Sequence, residues 1–325
     1  MSYAIRIHST GGPEVMRWEQ VEVVSPGAGE VRLRHTAVGL NYIDVYHRSG
    51  LYPLAALPAI IGMEGAGEVL AVGDGVTEFR AGDRVAYAGA PPGAYATERV
   101  MPAHRLVKLP PEISDQQAAA MMLQGMTAQY LMCRTYQVQP GDTILFHAAA
   151  GGVGLIACQW AKSLGAKVIG TVGTPQKAEL ARAHGCDHTI LYHQQDFVQQ
   201  VRDLTDGEGV AVVYDSVGQE TFLKSLDCLR PLGMLVSFGQ SSGPVTSFDP
   251  GLLAQKGSLF LTRPSLMNYT ARRNDLLASA ADLFAAVASN AVKIEINQEY
   301  PLAEAARAHR DLEARRTTGS TILIP

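Results

Sequence analysis

The chain has 325 residues, of which 47% are hydrophobic, and a formal net charge of −4 at pH 7. This length is enough for about two domains with buried cores, and the slightly acidic balance makes nucleic acid an unexpected partner, because nucleic-acid-binding proteins usually carry a basic field. The chain starts without a long apolar stretch and its four cysteines have no metal-binding spacing, so we expect a cytoplasmic protein with free thiols, no membrane partner and no bound metal.

The first 120 residues are rich in glycine, proline and short β-prone segments. The clearest strand candidates are residues 30–36, 65–72 and 83–87. Short runs of this kind, separated by many turn residues, predict an all-β-like module.

The next unit begins with a strand and a helix on either side of a glycine-rich turn. Residues 143–146 form an apolar run after the turn signal at 140–142, which predicts a buried strand. Apolar residues recur at helical spacing over 155–164, and Gly165 is well placed to end that helix. Residues 167–172 predict a second strand, so the segment has the pattern of a βαβ unit.

The turn inside this unit consists of small residues, Ala148-Ala-Ala-Gly-Gly-Val-Gly154. A dinucleotide pyrophosphate needs backbone N–H groups and the positive end of a helix dipole, and small residues let the backbone approach it. Gly151 and Gly154 match the second and third glycines of G-x-G-x-x-G. Ala149 stands at the first position, so we expect an altered tight turn there. The alternative is a plain glycine-rich turn without a ligand.

The end of the second predicted strand distinguishes between the two nicotinamide cofactors. Proteins that bind NAD usually place an acid there to hold the ribose 2′-OH. Residues 171–174 contain no acid, and Lys177 follows in the first turn of the next predicted helix. A cation attracts the 2′-phosphate of NADPH, whereas a carboxylate repels it. We therefore predict NADPH, with the alternative that Lys177 is an ordinary solvated helix residue.

Strands and helices continue to alternate up to about residue 262. Further strands are predicted at residues 188–191, 210–214, 234–238 and 258–262, and helices at 196–204 and 219–229. Six strands with intervening helices predict an α/β fold with a doubly wound parallel sheet. The C-terminal segment is predicted to contain helices at 275–290 and 303–315 and strands at 294–296 and 321–324. Its last strand could return to the β-rich module.

Several short motifs resemble those of one enzyme superfamily. They are Gly11-Gly-Pro-Glu14, Gly39-Leu-Asn-Tyr-Ile-Asp44, Arg48-Ser-Gly-Leu-Tyr52, Gly62-Met-Glu-Gly-Ala-Gly67, Ala81-Gly-Asp-Arg-Val85, Ala148 to Gly154, Tyr214-Asp-Ser-Val-Gly218 and Ser237-Phe-Gly239. With these motifs, nearly the whole chain resembles the medium-chain dehydrogenases/reductases and, among them, the zinc-free NADPH:quinone oxidoreductases related to zeta-crystallin.

The resemblance implies two domains and an oligomeric state. A GroES-like catalytic domain is expected at residues 1–124 and 266–325, with a Rossmann NADPH-binding domain inserted at 125–265. A cleft between two such domains is a usual place for ligands. The family usually forms homodimers, and we expect the apolar edge strand at 258–262 to pair with that of a second copy.

The residues at the zinc positions of the related zinc-dependent enzymes argue against this metal. Met63 stands where those enzymes have histidine, and Asn41 stands where they have cysteine. Thioether and amide groups are poor replacements for imidazole and thiolate on Zn²⁺. The short loop 88–94 stands in the region of their structural zinc lobe. Without a Lewis acid, a substrate that accepts hydride readily, such as a quinone or an activated alkene, is expected.

The resemblance also implies which residues contact the ligands. Those expected to bind the substrate are Asn41, Tyr46, Tyr52 and Arg263, whose donors could stabilise the oxyanion formed from a quinone. Those expected to bind NADPH are Asn41, Tyr42, Tyr130, Gly151, Gly152, Val153, Gly154, Gly173, Thr174, Lys177, Tyr192, Ser216, Phe238, Gly239, Ser241 and Arg315. No residue is identified as catalytic. Asp44 is either a helix cap or a proton donor, and His147 is expected to be a packed strand-end residue.

Three functions remain open at this point. The first is NADPH:quinone oxidoreductase activity, which we favour. The second is NADPH-dependent reduction of activated alkenes, which would use the same cofactor site and a different substrate. The third is a non-enzymatic structural or RNA-binding role, as in some relatives of the family, which the acidic balance disfavours.

Overall fold

The computed structural model describes all residues from Met1 to Pro325 and divides into two compact units. The first unit contains residues 1–126, 270–284 and 294–325, and the second contains residues 127–269 and 285–293. Residues 285–293, which are expected in the first domain, pack with the second unit. There the side-chain amide of Gln159 exchanges two hydrogen bonds of 2.9 and 3.1 Å with the backbone of Lys293.

Sixteen strands and eleven α-helices make up the fold. The strands are β1 (Ser2–Ile7), β2 (Met16–Val21), β3 (Glu30–Leu40), β4 (Ala59–Ile60), β5 (Glu64–Val72), β6 (Arg84–Ala88), β7 (Glu98–Pro102), β8 (Val107–Lys108), β9 (Thr143–Phe146), β10 (Lys167–Val172), β11 (His188–Leu191), β12 (Val210–Asp215), β13 (Leu229–Ser237), β14 (Phe260–Thr262), β15 (Ile296–Pro301) and β16 (Ser320–Ile324). The helices are α1 (Tyr42–Ser49), α2 (Asp115–Ala119), α3 (Met122–Tyr130), α4 (Gly152–Ser163), α5 (Pro175–Ala183), α6 (Phe197–Leu204), α7 (Phe222–Asp227), α8 (Gly251–Gln255), α9 (Leu266–Tyr269), α10 (Arg273–Ala288) and α11 (Ala305–Glu313).

The first unit is built around β-sheets, as predicted. Its larger sheet has the strand order β15-β16-β3-β5-β6-β8, with β7 also paired to β3, and a smaller sheet has the order β2-β1-β4. Side chains of β3 alternate between the interior and the outside over its first half, so that Val31 and Leu33 enter the core. Tyr95 and Leu323 belong to the same core. The C-terminal strand β16 therefore completes the first module, which confirms the predicted return of the chain.

The second unit contains the predicted doubly wound sheet. Six parallel strands have the order β11-β10-β9-β12-β13-β14. Every residue of β12 is buried, which is the pattern of a parallel strand covered on both faces. Gly165 follows α4 with a φ of +87°, as expected for a glycine that ends a helix.

Several predicted elements differ in extent from those observed, among them the strand at 258–262, which begins at Phe260, and the strand at 234–238, which spans Leu229–Ser237. The helix expected over 219–229 is limited to Phe222–Asp227, because the buried carboxylate of Asp215 accepts hydrogen bonds that form a turn at 217–221. The strand expected at 294–296 runs instead from Ile296 to Pro301, and the helix expected at 303–315 spans Ala305–Glu313. All four cysteines are free thiols. None of the helices combines the length with the apolar character that a membrane-spanning segment needs.

Candidate functional site

The glycine-rich turn of the second unit connects β9 to the N-terminus of α4. The strained residue of this turn is Ala148, with a φ of +55°, rather than Ala149 at the first motif position. The N–H of Gly151 donates to the Ala148 carbonyl (2.9 Å), and the N–H of Ala149 donates to Thr171 on the neighbouring strand (3.1 Å). The turn is therefore held at both ends while the N-terminus of α4 begins at Gly152.

Gly154 lets the first turn of α4 pack directly on the backbone of this turn. A Cβ at this position would lie 2.5 Å from the Ala148 carbonyl oxygen and 2.6 Å from that of Ala149. Such distances are too short for real contacts, so only glycine fits without moving the helix. The result is a helix N-terminus lined by small residues, which is the geometry that a dinucleotide pyrophosphate requires.

The positive φ of Ala148 gives a stability prediction. We expect Ala148→Gly to raise the free energy of unfolding by about 0.5–1 kcal/mol, because it removes a left-handed penalty of about 1–2 kcal/mol and adds a smaller cost in unfolded-state entropy. Urea denaturation measures the change. Ala150→Gly, at a buried neighbour without positive φ, is the control and should lose stability. Equal losses in the two variants would contradict the assignment of strain to Ala148.

The carboxyl ends of β10 and β11 form the part of the site expected to distinguish the cofactors. Thr174 caps α5 by accepting a hydrogen bond from the Lys177 N–H (3.3 Å), which puts Lys177 in the first turn of that helix. A Cβ on Gly173 would lie 3.2 Å from the Tyr192 hydroxyl oxygen. Gly173 and Tyr192 are therefore neighbours, and Lys177 follows them by one helical turn.

The ends of β12 and β13 bring together the next group of predicted residues. A Cβ on Gly239 would lie 2.8 Å from Cα of Ser216, and the Ser241 N–H donates to the Ser216 carbonyl (3.1 Å). The Phe238 ring lies 5.7 Å from that of Phe146 at the end of β9. These positions lie at the carboxyl edge of the parallel sheet, where α/β folds bind ligands.

Arg263 holds the backbone that follows β13. Its guanidinium donates to the carbonyl oxygens of Ser237 (3.0 Å) and Gly239 (2.8 Å) and to the side-chain oxygen of Gln240 (3.0 Å). This geometry gives Arg263 a structural role at the end of the sheet. Its predicted contact with the substrate stays a prediction.

The remaining predicted cofactor residues have varied surroundings. Tyr130 is buried and stacks on Tyr269 with ring centroids 4.4 Å apart. Tyr42 is half-buried, and its hydroxyl donates to the Leu312 carbonyl at 3.5 Å. Arg315 is exposed and has a φ of +58° just after α11. His147 is buried between Thr171 and Ser225 hydroxyls at 2.9 and 3.0 Å, as expected for a packed strand-end residue.

In the first unit, Asn41 and Asp44 form the start of α1. The Asp44 carboxylate accepts a hydrogen bond from the Asn41 backbone N–H (2.9 Å), which identifies Asp44 as part of the helix cap. Along the same helix and the turn after it, the rings of Tyr42, Tyr46 and Tyr52 make successive contacts, with centroid separations of 6.1 and 5.1 Å. The predicted substrate residues Asn41, Tyr46 and Tyr52 are thus on one short segment.

The Asn41 side chain is part of a buried polar chain. Its Nδ2 lies 2.7 Å from Glu64 Oε2, and its Oδ1 lies 3.2 Å from Gln124 Nε2. Glu64 Oε1 accepts a hydrogen bond from the Leu123 N–H (2.7 Å), and Gln124 Oε1 lies 2.6 Å from Ser320 Oγ. Burial raises the pKa of Glu64 to about 8, although the hydrogen bonds from Asn41 and Leu123 act in the opposite direction.

A second buried chain leads from α11 to Asp44. Arg48 can only donate, so its 3.0 Å contact makes His309 Nδ1 an acceptor and leaves the ring proton on Nε2. That proton points to the Tyr95 hydroxyl (3.0 Å), which in turn donates to Asp44 Oδ2 (3.0 Å). Burial, followed by the charge of Arg48, lowers the pKa of His309 to about 3. Burial raises the pKa of Asp44 to about 7.

Glu313 anchors this second chain at the surface. Its carboxylate accepts two hydrogen bonds from Arg48, at 2.8 and 2.9 Å, while the Arg48 side chain is only 2% exposed. We expect Glu313→Gln to lower the free energy of unfolding by about 1–2 kcal/mol, because a buried guanidinium loses its countercharge. Thermal denaturation tests this. Glu304→Gln, on a surface pair with Arg307, is the control, and an equal effect of both would contradict the proposed anchoring.

The residues at the zinc positions have other contacts. Asn41 is bonded to Glu64 and Gln124, and Met63 is buried. The loop at 88–94 is held by Arg99, which donates to the carbonyl oxygens of Pro91 (3.1 Å) and Pro92 (3.2 Å). No group of three or more His, Cys, Asp or Glu side chains lies together in a way that could hold a metal ion.

Sequence reasoning missed most members of the two buried chains. Glu64 lies in a quoted motif but was not predicted as a site residue. Gln124, Ser320, Tyr95 and His309 were not singled out, because each is far in sequence from its partner. Their only local signal is polarity within otherwise apolar segments, such as the glutamine at 124 in the apolar run of α3.

Comparisons with known proteins agree with this architecture. Residues 27–111 match the family model of the alcohol dehydrogenase GroES-like domain, and residues 152–285 match that of the zinc-binding dehydrogenases. The quinone oxidoreductase of Pseudomonas aeruginosa is 55% identical over 325 residues, with 100% of both chains covered. The 2-haloacrylate reductase of Burkholderia sp. is 48% identical over 333 residues, covering 100% of this chain and 99% of its own. The crystal structure of Escherichia coli quinone oxidoreductase complexed with NADPH has a TM-score of 0.98 at 49% identity, covering 99% of this chain and 100% of that one.

Proposed function

This chain belongs to the quinone oxidoreductase family of the medium-chain dehydrogenase/reductase superfamily, and we propose that it reduces quinones with NADPH and without zinc. The observation that carries the cofactor choice is the combination of two features of the second unit. A glycine turn leads into α4, and the end of β10 presents Lys177 and no carboxylate. The quinone substrate is supported by the family and by the relative that is 55% identical.

The residues present fit a bound NADPH. The N-terminus of α4 offers backbone N–H groups to a pyrophosphate, and Gly154 lets this helix pack directly on the turn that precedes it. Gly173 and Thr174, at the start of α5, are proposed to lie beside the adenosine ribose, and Lys177 is proposed to offer a cation to the 2′-phosphate. Tyr192, next to Gly173, is proposed to contact the same phosphate.

NADPH supplies the hydride when it is bound, and the side chains supply binding and orientation. Asn41 is proposed to offer its amide to the developing oxyanion of the quinone, because a fixed donor in a buried place stabilises such charge. The pair Glu64 and Gln124 holds that amide in place. Tyr46 and Tyr52 offer ring faces and hydroxyl groups to an aromatic substrate.

We propose that zinc is not part of this site. An amide at Asn41 and a thioether at Met63 occupy the positions of strong zinc ligands, and neither is a good donor to Zn²⁺. Glu64 is already bonded to Asn41 and Leu123. Activity should therefore be unchanged after dialysis against a chelator, and a loss restored by added zinc would contradict this part of the proposal.

The direct experiment measures steady-state oxidation of NADPH, and separately of NADH, with 1,2-naphthoquinone or 1,4-benzoquinone as acceptor. Quinone-dependent oxidation with a strong preference for NADPH is the expected result. NADPH binding without quinone turnover would leave the cofactor site correct and the substrate wrong. Absence of binding of either nicotinamide would refute the whole proposal.

Reduction of an activated alkene is the second candidate. The observation that favours it is the 48% identity to a 2-haloacrylate reductase over the full chain. The same nicotinamide would transfer hydride to an electron-poor carbon–carbon bond, so the two candidates differ only in the acceptor. Comparing kcat/KM for 2-chloroacrylate and an enone with that for the quinones distinguishes them.

We also propose a cytoplasmic homodimer formed through the edge of the parallel sheet. Strand β14 is the last strand on its side, and its side chains Phe260 and Leu261 are 55% and 36% exposed. An apolar unpaired edge of this kind favours pairing with a second copy. Four free thiols suit a reducing compartment. Sedimentation of a monomer at micromolar concentration would contradict the dimer.

A further inference from the structure

The buried chain Glu64–Asn41–Gln124–Ser320 contains a conflict at its end. Ser320 Oγ lies 2.6 Å from Gln124 Oε1 and 2.8 Å from the carbonyl oxygen of Ala120. Both partners are acceptors, and a serine hydroxyl has only one proton to donate. With the two amides oriented in this way, one short oxygen–oxygen contact in a buried place has no proton.

Turning both amides by 180° removes the conflict without moving the chain. The oxygen and nitrogen of an amide occupy equivalent positions, so the same heavy-atom distances fit the opposite order of donors and acceptors. Gln124 Nε2 then donates to Ser320 Oγ, and Ser320 donates its one proton to Ala120. Asn41 Nδ2 donates to the Gln124 oxygen. The Asn41 oxygen then faces Glu64 at the 2.7 Å contact, which requires a donor on Glu64.

We propose that Glu64 is a neutral carboxylic acid that donates its proton to the Asn41 side-chain oxygen, and that loss of this proton reverses the direction of the whole chain. In the neutral arrangement each contact of the chain from Glu64 to Ala120 joins one donor to one acceptor. In the ionised arrangement the Asn41 amide turns its N–H towards the carboxylate, and Gln124 turns with it. Glu64 is therefore a positioning residue that sets which end of the Asn41 amide faces the carboxyl group and which faces Gln124.

The surroundings of Glu64 favour the neutral acid. Glu64, Asn41, Gln124 and Ser320 have exposures between 0% and 6%, so water does not compensate a charge there. The titratable groups that interact with Glu64 are Asp44 on α1, Tyr87 on β6 and Tyr95, and none of them is a cation. The Tyr87 hydroxyl itself accepts a hydrogen bond from Arg99 (3.2 Å). The pKa of about 8 for Glu64 agrees with a proton held at neutral pH.

The consequence for catalysis depends on the proposed function. If the Asn41 amide contacts the quinone or the nicotinamide, reversal exchanges the N–H and the oxygen that it presents to them. One hydrogen bond gained or lost is worth about 0.5–1.5 kcal/mol, which corresponds to about 2–10-fold in kcat/KM. We therefore expect kcat/KM to change by this factor as the pH rises through about 8.

The protonation state can be measured without turnover. The carboxyl carbons of ¹³C-labelled glutamate are followed by NMR in the full-length protein from pH 5 to 9.5, and the Glu64 signal is assigned by its disappearance in Glu64→Gln. Titration near pH 8, with the Asn41 and Gln124 side-chain amide signals shifting at the same midpoint, is the expected result. A Glu64 signal that is already that of a carboxylate at pH 6 would overturn the proposal.

Kinetics then test the positioning role. Glu64→Gln is a permanent donor to Asn41, so it should keep the neutral arrangement and lose the change in kcat/KM near pH 8. The matched control is Glu68→Gln on the same strand, where the exposed carboxylate pairs with Arg34 and should leave the pH profile unchanged. A change in kcat/KM near pH 8 that persists in Glu64→Gln would refute the coupling. Absence of quinone turnover at every pH would refute the proposed function, while the NMR titration still decides the state of Glu64.

Discussion

We expect Gly154→Ala to weaken NADPH binding by about 100-fold or more and to lower the free energy of unfolding by about 2–3 kcal/mol. The added methyl group would lie within 2.6 Å of two backbone carbonyl oxygens, and neither can rotate away as a flexible side chain would. The first turn of α4 must therefore move outward. Overpacking of this kind costs about 1–3 kcal/mol, and loss of two charge-assisted hydrogen bonds to phosphate accounts for the weaker binding.

Isothermal titration with NADPH and urea denaturation measure the two effects. Gly151→Ala is the matched control for stability, since its Cβ would have a single contact of 3.2 Å with the Ala148 carbonyl oxygen and should leave the unfolding free energy close to that of the wild type. A Gly154→Ala protein with normal NADPH affinity and normal stability would show that α4 does not bind the pyrophosphate through this close packing.

Lys177→Ala is expected to raise the Kd for NADPH by about 10–100-fold and to leave the Kd for NADH nearly unchanged. A charge-assisted hydrogen bond to phosphate is worth about 1.5–3 kcal/mol. NADH has no 2′-phosphate, so the substitution removes no such bond from its complex. Lys177 has a defined position, because it lies in the first turn of α5 and the Thr174 cap fixes that turn.

Fluorescence titration with both cofactors at two salt concentrations measures the selectivity. Lys224→Ala, which removes an exposed lysine from α7, controls for the change in net charge. The increase in the Kd for NADPH that Lys177→Ala causes should become smaller as ionic strength rises, since screening reduces attraction between exposed charges. Equal losses for NADPH and NADH would mean that another residue recognises the phosphate.

The parallel sheet and its glycine turn could be predicted because their signals are local. Strand β9, the turn and helix α4 follow one another within about twenty residues, and each has its own pattern of apolar or small side chains. The residue of the turn that has a left-handed backbone conformation was harder to predict. The sequence pointed to Ala149, whereas the left-handed residue is Ala148, because the backbone path depends on hydrogen bonds to Thr171 on the next strand.

The polar chains around Asn41 and Asp44 could not be predicted from such patterns. Arg48 and His309 are separated by 261 positions, and Gln124 and Ser320 by 196. Contacts at this range depend on how β16 enters the sheet and on where α11 packs, and a single polar residue in an apolar segment does not indicate its partner. The start of α7 was also predicted three residues too early, because the Asp215 carboxylate holds residues 217–221 in a turn.

The position of β16 also determines the order in which the two units can fold during translation. This strand lies between β15 and β3 and pairs residues 321–323 with residues 38–40, next to Asn41. All strands of the parallel sheet, in contrast, lie between residues 143 and 262. The parallel sheet can thus fold while translation continues, since domains fold as units during synthesis. The β-rich unit must wait for residues 321–323, which are synthesised long after their partners at 38–40, so the unit that begins earlier in the sequence reaches its native state after the parallel sheet.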